Sequence, residues 1–456
     1  MGSTSLEATP KRRHHLRELI GDEPWSRFWV VVSAFAVLVF TFGAIQIARL
    51  TMLSAYDEAA HLDYAWKVAH GQLPFPGSLL SPETLDSWSC RGQHNLTLPA
   101  CGSAAGNGDY PARGENYLMH PPVFYAVSGA FARAVSALGI VDFADAARFA
   151  SLIWLLAGMV VLYAALLVWR MPWKVAAPVV AIIPSIHMIF QSSTTVNNDA
   201  SAVFAGGLAV YALGRALKDG RYGFLFPTAV TFVVASLKVL NAIPMIGVAG
   251  ALIVAAALNR GSSEFPRIRQ ALFSAAGIVG ATLLVNIGWN LVRSATKTPG
   301  WVSPNAGVNS RDITGLPFDE WVKTVFSGMT SIGYGYVRPD AHAEPDIAWT
   351  SLLSVILLVA PFVVLVVFRE HDARWYIGAA AVGAMLALPA SVQLQTYLAS
   401  GGTSYFPGIS MRYGLSTVPL LFAAASVVVH ERRWTIAAWV TAGAAVVVLA
   451  YSSLFA

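Results

Sequence analysis

Long apolar windows separated by short polar connections dominate this chain. Stretches of about 17 to 25 apolar residues, enough to cross a hydrocarbon core of roughly 30 Å, occur at 28–50, 149–169, 175–191, 200–217, 224–240, 242–258, 271–292, 351–368, 376–398, 414–429 and 435–452. They predict an all-α integral membrane protein with about eleven transmembrane helices, organised as a tail (1–27) and a single membrane domain (28–456). The first window is too long for a signal-peptide core, so it is read as a retained anchor.

Charge orients the helices. With Lys11, Arg12, Arg13 and Arg17 in the cytoplasm, alternate connections carry Arg170/Lys174, Arg215/Lys218/Arg221, Arg260/Arg267/Arg269, Arg369/Arg374 and Arg432/Arg433 on the same side, as the positive-inside bias requires. The short outward connections hold only Lys238 and Arg412. The apolar run Pro122–Leu138 opens on a double proline and contains Arg133. Counting it as a span would invert every later loop, so it is assigned to a juxtamembrane or re-entrant helix; the alternative is a twelfth span with a poorer charge distribution.

Two outward loops, 51–148 and 294–349, are far longer than plain connections, which marks them for binding or lid roles. The first begins with Tyr56-Asp57-Glu58-Ala-Ala-His61-Leu-Asp63. Asp57, His61 and Tyr64, spaced by four and three, fall along one face of a predicted amphipathic helix at the membrane surface, with Leu62, Ala65, Trp66 and Ala69 on its apolar side. The acids either serve chemistry at this lipid boundary or cap the helix. The two cysteines, Cys90 and Cys101, share the loop and are expected to form a disulfide in an oxidising exterior.

Composition narrows the class further. Apolar residues make up 56% of 456 positions and charged residues 12%, with a mean hydropathy of +0.57, so membrane lipids are partners throughout. The formal charge of +5 is accounted for by orientation and headgroup contact, and nucleic acid is not an expected ligand.

Further polar groups fall on the outward side: His120-Pro-Pro-Val-Phe-Tyr125 closing the first loop, Asn197-Asn198-Asp199 opening one helix, Lys238 beside Asn241 ending another, and Tyr405 with Arg412-Tyr413 before a late one. Singly, each reads as a cap or a snorkelling cation. Together they describe a cavity with acids to move a proton and cations to receive an anion.

The Asp57-Glu58-Ala-Ala-His61 run, the His120–Tyr125 run and the long loop after the seventh window resemble the GT-C superfamily of membrane glycosyltransferases. Asn197-Asn-Asp199-Ala and Arg412-Tyr413 followed by Pro419-Leu-Leu421 are similar to a mainly bacterial branch of it. The resemblance implies a GT-C-like core of seven helices in a bacterial plasma membrane and an active site on the extracytoplasmic side. The donor it implies is a sugar on a polyprenyl phosphate, and the acceptor a glycan or glycolipid of the cell envelope. Carried over by position, Asp57 would be the general base. Glu58 and His61 would position the acceptor or hold a divalent cation, the choice staying open. Lys238 and Arg412 would neutralise the leaving phosphate; His120, Tyr125 and Tyr413 would line the substrate, with Asp199 beside them.

A single displacement would invert the anomeric centre. In the second loop, Trp301, Asp312, Trp321, Tyr334 and Tyr336 have the mix that stacks on sugars, or that of an interfacial aromatic belt. The competing classes are a lipid-linked sugar transporter or flippase and a non-catalytic envelope scaffold. Against a transporter stands the absence of an evident inverted repeat.

Overall fold

The computed structural model describes residues 23–455 except 56, 117, 119, 219–223, 261–265, 303–310, 314, 316–317, 319–320, 323–343, 370–371, 395–396, 399 and 406–410. Most of the expected cytoplasmic tail, and Tyr334 and Tyr336, lie outside the described residues.

The first helix, α1 (Trp25–Arg49), is followed by a compact first loop with α2 (Glu58–Ala69), α3 (Pro82–Arg91) and α4 (Val123–Ser136). The bundle continues through α5 (Phe143–Val168), α6 (Trp173–Ala181), α7 (His187–Thr194), α8 (Ala202–Lys218), α9 (Leu225–Leu237), α10 (Ile243–Leu258) and α11 (Ile268–Thr296). After the second loop come α12 (Glu344–Val367), α13 (Trp375–Pro389), α14 (Val418–Glu431) and α15 (Thr435–Phe455). Two short antiparallel pairs, Ser78–Leu79 with Glu115–Asn116 and Arg311–Asp312 with Ser404–Tyr405, are the strands among the described residues.

Nine helices among the described residues are long and apolar enough to cross a membrane, ten if the bent pair α6 and α7 counts as one. The chain is thus an all-α, multi-pass membrane protein. Two of the eleven windows differ from plain spans. The 175–191 window breaks by 69° between α6 and α7, after Pro178 and Pro184 interrupt the backbone ladder. The 224–240 window yields α9, 13 residues or about 20 Å, short of a full hydrocarbon core. The run after Pro122 is likewise a short apolar helix, α4, 14 residues long.

Close packing sets helix order. α5 lies along α8, and α10 along α13. Gly206 on α8 faces the Ser416 carbonyl and Pro419, where any Cβ would collide, so the start of α14 is pressed against α8. Gly129 on α4 faces the Ala65 carbonyl in the same way, which seats α4 directly on α2.

α2 departs from its expected place at a lipid surface. Nine of its twelve residues are buried, the acids included. Asp63, fully enclosed, accepts from the Ser81 backbone N–H at 2.7 Å and from Asn116 Nδ2 at 2.8 Å, and pairs with Lys67 at 2.8 Å. Once its polar side is satisfied in this way, the helix can sit inside the first loop instead of floating on lipid. The expected Cys90–Cys101 disulfide is present.

Candidate functional site

Three membrane helices enter the bundle through a 3-10 turn, and each turn carries or directly follows a charged residue. Asn198–Ser201 holds Asp199, Val239–Ala242 begins directly after Lys238, and Met411–Thr417 holds Arg412. Asn197 fixes the first turn by accepting from the Asp199 backbone N–H at 2.9 Å. The fourth member, Asp57, precedes α2 in a left-handed backbone conformation, φ 60° and ψ 19°. That region costs a non-glycine residue about 1–2 kcal/mol and concentrates at functional positions.

The four side chains form a chain of alternating charge. Arg412 Nη2 donates to Asp57 Oδ2 at 2.9 Å, Arg412 Nε lies 3.9 Å from Asp199 Oδ2, and Lys238 Nζ donates to Asp199 Oδ1. Two acids and two cations cancel, which makes their burial tolerable. The pairs differ in exposure: Lys238 and Asp199 are enclosed, whereas the Asp57 and Arg412 side chains keep 30% and 18% of their accessibility. Asp57 makes no capping hydrogen bond to α2, so the capping alternative does not describe its carboxylate. It also borders a cavity of about 110 Å³ lined by Ala60, Leu80, Trp88, Gln93 and Glu115.

An aromatic wall stands beside this chain. Tyr64 stacks on Tyr125 with ring centroids 3.9 Å apart, His61 Nδ1 is 2.7 Å from the Tyr125 hydroxyl, and His61 and His120 lie nearly parallel at 5.9 Å. The Tyr64 hydroxyl donates to the His120 carbonyl at 2.9 Å, and Lys238 Nζ sits 5.4 Å over the Tyr413 ring. Burial, reinforced by the Arg412 and Lys238 charges, holds the His61 imidazole well below its usual range. His120 is lowered by burial and then by Lys238, His61 and Arg412, with Asp57 opposing. Both imidazoles are therefore neutral near pH 7.

Glu58 is placed differently from expectation. Its carboxylate, buried, accepts from Arg148 Nε at 2.8 Å and Nη2 at 3.1 Å, from the Ser54 N–H at 2.6 Å and from the Val196 N–H at 2.8 Å. Arg148 in turn donates to the Leu50 and Met52 carbonyls. Four donors thus occupy the Glu58 carboxylate and anchor the residue that follows Asp57 in the chain. With Glu58 committed and His61 turned to Tyr125, Asp57, Glu58 and His61 do not fit a divalent cation. No group of three or more His, Cys, Asp and Glu among the described residues does either.

Asp57, His61, His120, Tyr125, Asp199, Lys238, Arg412 and Tyr413 thus converge. Among the second-loop aromatics, Trp301 donates its indole N–H to Glu115 at 2.7 Å and ties the two loops together. Asp312 pairs as a strand with Ser404. Arg148 was missed by pattern reading; its signal was a cation at the very start of an apolar window, which needs a buried partner. Comparison with protein-family models, with curated proteins and with solved structures finds no match to this chain.

Proposed function

We propose that the protein is a membrane glycosyltransferase of the GT-C kind, moving a sugar from a polyprenyl-phosphate donor to a cell-envelope glycan or glycolipid on the extracytoplasmic side. The observation that carries the reading is the accessible Asp57–Arg412 pair, backed by the buried Asp199–Lys238 pair, with Asp57 also lining a cavity. A lipid phosphate arriving at Arg412 competes with Asp57 for the guanidinium. As it binds, the Asp57 carboxylate is released to act as a base.

In the reaction, the acceptor hydroxyl oxygen attacks the anomeric carbon and its proton passes to Asp57. The bond from that carbon to the phosphate oxygen breaks, and the phosphate leaves with the electron pair, its charge stabilised by Arg412 and Lys238. One displacement inverts the anomeric configuration. No step needs a metal ion held by Glu58 or His61.

Asp57→Asn is the discriminating variant. Transfer from a polyprenyl-phosphate sugar to envelope acceptor, followed by mass spectrometry of the glycolipid product, should fall by about 10²-fold to 10⁴-fold. Binding of polyprenyl phosphate should be kept or tightened, because a competitor for Arg412 is removed. Unchanged product formation in Asp57→Asn ends the assignment of Asp57 as the base, and a wild-type protein that forms no product ends the enzymatic reading and leaves transport or scaffolding.

A further inference from the structure

α11 is a lipid-facing helix with a polar stripe that the site above does not use. Only six of its 29 residues are buried, and Leu283, Leu284, Ile287, Leu291 and Val292 are exposed. Asn286, Asn290 and Arg293, spaced by four and three, share one face. Asn290 Nδ2 donates to Asn286 Oδ1 and Arg293 Nη1 donates to Asn290 Oδ1, each at 3.0 Å. Arg293 Nε is buried with no hydrogen-bond partner among the described residues.

The stripe sits where a membrane amphiphile would approach the charged chain. Val285 packs with Ala235 and Ala242, which flank Lys238, so α9 ends level with this point of α11. The eleven residues from Asn286 to Thr296 continue about 16 Å beyond it. Trp289, within the stripe's span, packs on the cluster of Tyr64, Tyr125 and Leu237, and Arg293 lies near enough to Tyr64 to act on its phenol. A guanidinium that merely snorkels extends to water. This one is bonded back one turn to Asn290.

We infer that Asn286, Asn290 and Arg293 form a docking site for the phosphate of a membrane lipid, with its apolar chain along Leu283, Ile287 and Leu291, on the lipid side of the Lys238–Asp199–Arg412–Asp57 chain. A planar guanidinium suits a phosphate, which it can grip through two parallel N–H bonds. Two amides add donors or acceptors without charge, and the exposed leucines and isoleucine match an isoprenoid or acyl tail. The site goes beyond the sugar-transfer reading and stands without it.

The test uses the full-length protein in phosphatidylcholine nanodiscs, with a short-chain prenyl phosphate, the matching uncharged prenol and inorganic phosphate as probes, read by native mass spectrometry and association rate. Arg293→Gln should weaken prenyl phosphate by about tenfold, the loss of one charge-assisted contact, and leave the prenol unchanged. Arg293→Lys, which keeps the charge but not the two parallel bonds, should bind prenyl phosphate more weakly than wild type and more tightly than Arg293→Gln, and it serves if the glutamine variant fails to fold. Inorganic phosphate at millimolar concentration should not displace the lipid. Equal weakening of prenol and prenyl phosphate, or none of either, overturns the site; saturation by inorganic phosphate alone overturns the lipid source. Because binding is read without turnover, a wild-type protein that transfers no sugar removes the preceding reading and leaves this one intact.

Discussion

Glu58 and Arg148 show how little of a residue's role is written in its neighbours along the chain. Glu58 stands beside Asp57 and has the same chemistry, yet its carboxylate is consumed by Arg148, 90 residues away, and by two backbone amides. Breaking one half of such a buried pair leaves a charge without compensation. Glu58→Gln or Arg148→Met should therefore lower stability by about 3–5 kcal/mol, measured as a reduced unfolding temperature in detergent, whereas Asp57→Asn, at an accessible pair, should cost far less. His61 and His120 carry a pH prediction at the same scale. Burial depresses both, so the unfolded chain binds protons below pH ~6.5 that the folded protein refuses. Their contribution is intact above that pH and is lost as pH falls toward the depressed folded values. Melting temperature should drop between pH 7 and 5.5, and a His61→Gln, His120→Gln double variant should flatten the slope; an equally steep slope in that variant refutes the assignment. Asp57, Lys238, Arg412 and Tyr125 are the titratable or charged groups that act on this pair.

Among the elements, the first loop is held as a unit by a few joints. The Cys90–Cys101 disulfide starts from the last turn of α3, and the adjoining Gly92 carbonyl accepts from the Leu53 N–H at 3.0 Å, four residues before Asp57. Closing a loop of this size is worth about 3 kcal/mol in the chain-entropy model. A Cys90→Ser, Cys101→Ser variant should lose stability of that order and expose the Gln93–Ala100 segment to protease; an unchanged cleavage pattern would mean the loop is held without the bridge. The helical pattern of α1, α5, α10 and α11 was legible from hydropathy, because a lipid-facing or core-facing helix must be apolar along its whole length. The depth of α2 was not. Its apolar face read as a lipid surface, while the partners that enclose Asp63 come from Ser81 and Asn116, at separations no periodicity records.

Across the whole molecule, the charged chain fixes which helix ends lie together. The C-terminal end of α9, the N-terminal ends of α8 and α10 and the lead-in to α14 all meet beside Asp57, just beyond α1. At the opposite end, Arg27 lies over Trp173 and Arg374 pairs with Asp372 and Glu431, in keeping with the positive-inside orientation proposed here. In a cysteine-free background, Gly139→Cys should label from outside the cell and Arg432→Cys only after permeabilisation; the reverse pattern overturns the orientation and moves the site to the cytoplasmic face. The sequence by itself determined the membrane class, the approximate set of spans and the residues able to carry charge to one end, because lipid imposes its rules on each helix separately. The tertiary structure alone decided which charges pair: Asp57 with Arg412, Asp199 with Lys238 and Glu58 with Arg148. In a medium of low dielectric a charge is tolerated only beside its partner, and that partner is chosen by packing across the bundle.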